Sequence, residues 1–390
     1  MSVLNLPVSF GEALDKLTIL KIKLEKIKDD RKIDVQNEYD AIYEILKDKF
    51  TDDIQYHYSI LKDVNQSIWD MQDIFRESTD QTEKIDLCMK IIDDNDRRFR
   101  IKKKLNILCN SHLREQKGYI AKKAFVLSHL GMGDCFTISS AVRFLSTKYE
   151  EVTVVCKKRY EENIRLLYKD DPNIIFHIVN NDEDISPRFG CPIESFIQTV
   201  NGYDVYMCGF HLLNKPPTNM NTLPFCFYND IGVDYSIFWK YFHAPTTPES
   251  MNLYKLLSPY KYIIIHNQSG TGLCFTDHYP EHVLNISKDT TIFINLNKNI
   301  YPPTHPYYTI ANEFVNKPIV HYKDALINAD YVLLCDSSIF CFAMNLPIRT
   351  NNCYVVSRSV DYSYIYSSEF AYPGEDSKAK FTVIKSDILT

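Results

Sequence analysis

Three short stretches carry residue types whose spacing suits chemistry. The first is Gly131-Met-Gly133-Asp134, which follows the apolar run Phe125–Ser128 and His129 and precedes the helical spacing of Thr137–Leu145. Glycines let the backbone turn sharply and approach a ligand, and a helix start offers unpaired N–H groups to an anion. The third glycine of a dinucleotide fingerprint is absent. Asp134 instead puts negative charge where a loop built only to cradle phosphate would avoid it. A carboxylate on this turn suits a proton acceptor, with capping of the following helix as the alternative role. The second stretch, Asp336-Ser337-Ser338, ends the apolar run Tyr331–Cys335 and opens the helical segment Ile339–Asn345. Its hydroxyls and helix amides would hold a diphosphate, or merely cap. The third, Ser269-Gly270-Thr271-Gly272, follows the buried strand pattern Tyr262–His266. It is small and polar enough to donate backbone N–H groups to phosphate, or to be a plain turn.

Nothing in the spacing points to a metal. His211, His243, His278 and His305 lack ligand spacing, and no Cys-x-x-Cys pair occurs among the 11 cysteines. Asp182-Glu-Asp184 lies in a polar run that reads as a solvated loop. Cys109, Cys156, Cys208, Cys335 and Cys341 fall in apolar segments, as buried thiols of a reducing compartment do, so a cytoplasmic location is expected. The formal net charge of −6 speaks against nucleic acid as a partner. No apolar run reaches the ~20 residues of a membrane span, and residues 1–10 lack the pattern of a signal peptide.

The elements that must position these stretches fall into two kinds. Residues 1–117 read as a helical bundle or coiled coil. Glycine is absent between Gly11 and Gly118, proline between Pro7 and Pro172, and apolar stripes recur at Leu17–Leu20–Leu24–Ile27 and at Leu61–Val64–Ile68–Met71–Phe75. Ser9 and Glu12 form a capping-box pattern ahead of the first stripe. Such stripes suit self-association, so a homo-oligomer through this region is expected. Beyond Gly118, strand-like runs alternate with helical segments, which implies parallel sheets covered on both faces. The expected fold is α/β: two Rossmann-like domains, 118–245 and 246–390, behind the helical bundle, with a ligand cleft beyond the carboxyl ends of the strands.

With these residues in view, the chain from about Lys123 to Arg358 resembles two-domain GT-B glycosyltransferases, and most closely family nine, the ADP-heptose:lipopolysaccharide heptosyltransferases. Leu130-Gly-Met-Gly-Asp134 with Thr137–Leu145 is similar to that family's opening strand, turn and helix. Leu326-Ile-Asn-Ala-Asp-Tyr-Val-Leu-Leu-Cys-Asp-Ser-Ser338, with Ala343, is similar to its donor-side strand and turn. The family's glycine after Asp-Ser is Ser338 here, its next histidine is Cys341, and the basic residue before the aromatic-proline pair Tyr279-Pro280 gives way to Asp277 and His278. The stretch from Pro7 to Leu20 resembles an uncharacterised domain family.

The resemblance implies a hexosyl- or heptosyl-type transferase. A nucleoside-diphosphate sugar would be held by Ser269, Gly270, Thr271, Gly272, Asp336, Ser337 and Ser338. Gly131, Gly133 and His129 would line the acceptor side, and Asp134 would deprotonate a glycan or other hydroxyl acceptor. No metal and no cofactor would be needed. An inactive sugar- or partner-binding scaffold and a nucleotide-sugar epimerase of the same fold are the alternatives.

Overall fold

The structure, a computed structural model, describes residues 6–118, 121–128, 131–181, 184, 202–209, 223–270, 272–356 and 381–384. The first part is helical, as the stripes require: α1 (Phe10–Lys26), α2 (Arg31–Leu46), α3 (Asp52–Glu77) and α4 (Gln81–Leu108). Three of these four starts are capped by a hydroxyl or carboxylate, while Asp30 ahead of α2 makes no such bond. Ser9 accepts from the Glu12 N–H, Thr51 from Ile54, and Asp80 from Thr82. Glu12 does not reach back as a capping box would; its carboxylate pairs with Lys102 of α4.

Gly11 explains how closely these helices cross. A Cβ there would lie 2.5 Å from the Lys102 carbonyl oxygen, and its N–H instead donates to Asn106 Oδ1 at 2.6 Å. Leu14, Leu17, Leu61, Val64, Ile101 and Leu105 form the bundle core.

The strands follow in two all-parallel sheets. The first holds β1 (Lys123–Ser128), β2 (Glu151–Lys157), β3 (Ile174–Val179) and β4 (Tyr203–Cys208), in the order β3-β2-β1-β4. Between them run α5 (Met132–Thr137), α6 (Ser139–Lys148) and α7 (Glu161–Leu167). The helix expected from Thr137 is α6, and a further short helix, α5, precedes it, the two meeting at Ile138. After α8 (Leu223–Ile231), α9 (Ile237–Lys240) and α10 (Pro248–Leu257) comes the second sheet.

Its strands are β5 (Tyr262–His266), β8 (Ile292–Asn295), β9 (Tyr331–Cys335), β10 (Cys353–Val356) and β11 (Phe381–Ile384), in the order β11-β10-β9-β5-β8. The short pair β6 (Gln268–Ser269) and β7 (Gly272–Leu273) forms a separate hairpin beyond β5. The helices of this unit are α11 (Tyr279–His282), α12 (Tyr308–Asn312), α13 (Lys323–Ile327) and α14 (Ser338–Ala343). The architecture is therefore two Rossmann-like units behind a helical region, as the alternation of strands and helices requires. Ile263, Ile264 and Ile265 are all fully buried, because a parallel strand covered on both faces must be apolar throughout.

The bundle is seated on the first α/β unit by buried charge as well as by apolar contact. Arg143 of α6 forks onto Asp170 at 2.7 and 2.9 Å, both side chains fully buried, and His57 of α3 reaches the same carboxylate at 3.1 Å. Beside this pair, Lys104 of α4 contacts Asp171 at 2.8 Å and Ser146 of α6 at 2.6 Å. Burial lowers the pKa of Lys104, against the pull of Asp171. The Lys102–Lys104 run, which reads as a solvated face in the sequence, is therefore partly inside: Lys102 and Lys104 are both buried.

Removing one partner of such a pair leaves a buried charge uncompensated. Lys104→Met is expected to lose about 3–5 kcal/mol of stability in urea melts. A loss no larger than that of an exposed Lys→Met control would show that the pair contributes nothing.

Candidate functional site

In an open parallel sheet, ligands bind beyond the carboxyl ends of the strands where the winding reverses. In the first sheet the chain winds from β1 out to β2 and β3 and then crosses to β4, so the reversal lies between β1 and β4. In the second it lies between β5 and β9. The three stretches singled out in the sequence follow β1, β5 and β9.

The structure brings the first and second of these together. Gly133, in α5, faces α14: a Cβ on it would lie 3.1 Å from Cys341 Sγ and 3.4 Å from the Ser338 Cα. Phe136 and Phe342 continue this contact, with ring centroids 5.2 Å apart. The glycine thus serves the approach of the two units at the mouth of both sheets.

Gly131 is the N-cap of α5, and its N–H donates to Asp134 Oδ2 at 2.9 Å. Asp134 therefore performs the helix-start role considered for it, whatever else its carboxylate does. Ser337 is the N-cap of α14, but its hydroxyl makes no cap. It lies 3.3 Å from His266 Nδ1, which is also 3.2 Å from Cys335 Sγ. Asp336 is buried, its N–H donating to the Val356 carbonyl at 2.9 Å. Ser338 opens α14.

Ser269 ends β6, Gly270 sits in the hairpin, and Gly272 has φ +122°, a conformation that favours glycine. His129, Thr271 and Asp182 lie outside the described residues. Asp184 is exposed and accepts from the Asn180 N–H at 2.8 Å.

Beneath the hairpin lies a polar group that the sequence did not disclose. Asn267 and Asn295 donate to Asp277 Oδ1 at 2.9 and 3.0 Å, and Lys298 meets its other oxygen at 2.6 Å. Asp277, which stands where the resemblance implies a basic residue, is thereby tied to the loop after β5. His266 is the other residue missed. Burial lowers its pKa to about 4, so it is neutral near pH 7. Its position as the last residue of β5, at the winding reversal, was the available signal. Cys335, in contact with Cys274 and buried, has its thiol pKa pushed up, so it is no thiolate.

A second cluster corrects two expectations, that the chain offers no metal ligands and that its chemistry is metal-independent and cofactor-free. Asp53 of α3, Asp170 after α7 and His243 after α9 bring one ligand atom each within 4.8 Å of one another, a group able to hold a metal ion. His243 Nε2 lies 2.8 Å from Asp53 Oδ1 and 3.9 Å from Asp170 Oδ2, and Tyr56 stacks on its ring at 4.5 Å.

Burial lowers the pKa of His243 despite Asp53, which keeps the imidazole in its metal-binding form. Asp170 remains ionised: its burial acts the other way, but Arg143 holds its pKa well below the usual carboxylate range. One imidazole nitrogen and two carboxylate oxygens suit zinc, iron(II) or manganese. A cation here would share Asp170 with Arg143 and His57. The ligands are 117 and 73 residues apart in sequence (53 to 170, 170 to 243), so no linear spacing could announce them.

Comparison with known proteins gives distant likenesses. A family model described as a family of unknown function, DUF6165, matches residues 4–127. No curated protein matches the chain. Among solved structures, the chain is similar to a glycosyl transferase of family 9 from Veillonella parvula DSM 2008, with 12% identity, 68% of this chain and 86% of that one covered, and a TM-score of 0.42.

It is also similar to the dodecameric iron-containing heptosyltransferase TibC in complex with ADP-D-beta-D-heptose, at 16% identity, 63% and 60% coverage and a TM-score of 0.39. Iron-containing dodecameric TibC from enterotoxigenic E. coli H10407 follows at 15% identity, 63% and 60% coverage and a TM-score of 0.38. This chain thus spans about three-fifths of the TibC chains. No helix among the described residues is long and apolar enough to cross a membrane.

Two outcomes follow from this geometry. Gly133→Val forces α5 and α14 apart and should cost about 1–3 kcal/mol in urea melts, with Cys341→Ala in the same chain restoring part of it. A Gly133→Val chain as stable as the parent would mean that the two helices do not meet as described. The second concerns acid. The pKa of His266 is lowered in the fold, so its contribution is complete above 6.5 and is lost as pH falls from 6.5 toward 4. That loss amounts to about 3 kcal/mol at most. Melts at pH 7 and pH 4.5 should show a smaller acid loss for His266→Gln than for the parent; equal losses would assign the acid sensitivity elsewhere.

Proposed function

We propose that the chain is a glycosyltransferase that moves a sugar from a nucleotide-activated donor to an acceptor hydroxyl, working between the carboxyl ends of the two parallel sheets. The observation that carries this reading is the contact of Gly133 with Ser338 and Cys341, which sets the loop after β1 against the helix after β9. A group-transfer enzyme needs its two substrates held in one geometry, and two facing winding reversals provide a place for each.

In this reading the donor lies toward the second unit. The Ser269–Gly272 hairpin and the Asp336–Ser338 turn flank it, and neutral His266 holds the Ser337 hydroxyl in place. A neutral imidazole suits that task, because it orients a hydroxyl without adding charge beside a diphosphate. The acceptor lies toward the first unit, where Asp134 takes its proton as the hydroxyl attacks the anomeric carbon. The bond from that carbon to the phosphate oxygen breaks, and the nucleoside diphosphate leaves on the side of the second unit. The bond from Gly131 to Asp134 Oδ2 fixes the carboxylate on the turn, and an acid held this way is aimed. The resemblance to GT-B enzymes in both halves of the sequence supports the same assignment.

The test is a thermal-shift screen against nucleoside-diphosphate sugars, followed by a turnover assay with and without added divalent cation. At least one donor should raise the melting temperature by mass action. Asp134→Asn keeps the size of the side chain and should lower transfer by about 10²–10⁴-fold with donor binding nearly unchanged. Full transfer by Asp134→Asn would leave Asp134 as a helix cap, and a screen without any stabilising nucleotide sugar would overturn the reading.

A further inference from the structure

Asp53, Asp170 and His243 come from three parts of the chain: the start of α3, the turn between α7 and β3, and the segment after α9. Asp170 leads into β3, so it stands at the amino ends of the first sheet's strands, opposite to the mouth where the loops after β1 and β9 meet.

The charge of Asp53 has no cation beside it. Arg143 answers Asp170. Asp53 meets no lysine or arginine among the described residues; it faces the His243 imidazole at 2.8 Å, which burial keeps neutral near pH 7.

The spacing of the ligand atoms fits a small ion. Around a tetrahedral centre, ligands bound at about 2.1 Å lie about 3.4 Å from one another. His243 Nε2 stands 2.8 Å from Asp53 Oδ1 and 3.9 Å from Asp170 Oδ2, on either side of that value. Two of the three ligands are held in advance. Arg143 forks onto Asp170, and Tyr56 stacks on the His243 ring with 10° between the planes, its hydroxyl donating to the Tyr241 carbonyl at 3.0 Å. Outer partners of this kind orient metal ligands. The third, Asp53, has a side chain 23% exposed and is free to close the remaining few tenths of an ångström.

A way in is present as well. His243 and Tyr56 line a cavity of about 330 Å³ between α3 and the second α/β unit, with Asp52, Gln55 and Ser59 on its polar side. An ion can reach the ring from there, and a water can complete its shell. An imidazole nitrogen among the donors favours a transition metal over calcium or magnesium, which take oxygen.

We infer that Asp53 Oδ1, Asp170 Oδ2 and His243 Nε2 bind one divalent transition-metal ion that clamps the helical bundle to the first α/β unit. The ion takes the place of the hydrogen between Nε2 and Asp53, and the neutral ring keeps its one proton on Nδ1. Its ligands stand together only when α3 is docked, so its binding free energy adds to the docking. The inference concerns assembly and does not rest on the transfer reading.

The experiment strips the full chain with a chelator and refills it with Zn(II), Mn(II) or, without oxygen, Fe(II). Elemental analysis should find one equivalent of at least one of them. The same ion should raise the melting temperature by several degrees through mass action and slow hydrogen exchange in the first turns of α3. Asp53→Asn keeps the size of the side chain; it should melt like the metal-free parent and lose both the bound equivalent and the rise. His243→Gln should lose them too. Co(II) in the parent should give the visible bands of a nitrogen and oxygen site, without the charge-transfer band of a thiolate. No stoichiometric ion in the parent would overturn the inference. So would an ion that leaves melting and exchange unchanged, a rise undiminished in either variant, or a thiolate band, which would place the metal on cysteine elsewhere.

Discussion

The guanidinium of Arg143 and the carboxylate of Asp170 are the pair on which the assembly of this chain rests. Both are buried to the last atom, and taking two ions out of water costs several kcal/mol each unless their geometry is good and their remaining valences are met. Here the fork is double. Arg143 also donates to the Leu167 carbonyl at 2.6 Å and lies over the rings of Tyr56 and Tyr168, each 5.3 Å from its centre. The carboxylate takes His57 from the bundle. A pair this demanding fixes what must surround it: α3 has to lie against α6, and the segment bearing His243 has to close over both. The helical region is for this reason part of the same packed body as the first α/β unit.

From that seat the two α/β units inherit their relation. Phe242, one residue before His243, packs on Phe342 of α14, and Phe136 of α5 packs on Phe342 as well. A single apolar cluster accordingly runs through both units. The loops after β1 and β9 meet because the helices that follow them share this cluster, and glycine at 133 lets them meet closely. The chemistry proposed for the mouth of the sheets thus depends on packing decided some distance from it.

The same convergence explains the group able to hold a cation. Asp170 is ionised because Arg143 is there, His243 is neutral because it is buried, and Asp53 is near because α3 is docked. Each condition comes from a different element. A purely local reading, which looks for His and Cys at short spacing, had to conclude that the chain offers no such group, and the fold reverses that conclusion.

Much of the architecture was written locally. The absence of glycine and proline from residue 12 to 117, the caps at Ser9, Thr51 and Asp80, and the uninterrupted isoleucines of β5 each act within a few residues, through backbone entropy, unpaired N–H groups or burial on both faces of a strand. The alternation of strands and helices then left little choice but parallel sheets. Within the site, the sequence determined that Gly131, Gly133, Asp134, Ser337 and Ser338 stand at strand-to-helix turns, because turn chemistry is local. It did not show that Gly133 packs against Cys341, that the Ser337 hydroxyl turns to His266 instead of capping its helix, that Asp277 is held by Asn267 and Asn295, or that Lys104 is buried. Nor did it join Asp53, Asp170 and His243. Those facts depend on which surfaces meet, and contacts between separate elements, from ten to more than a hundred positions apart, leave no periodicity or spacing in the chain; only the tertiary structure decided them.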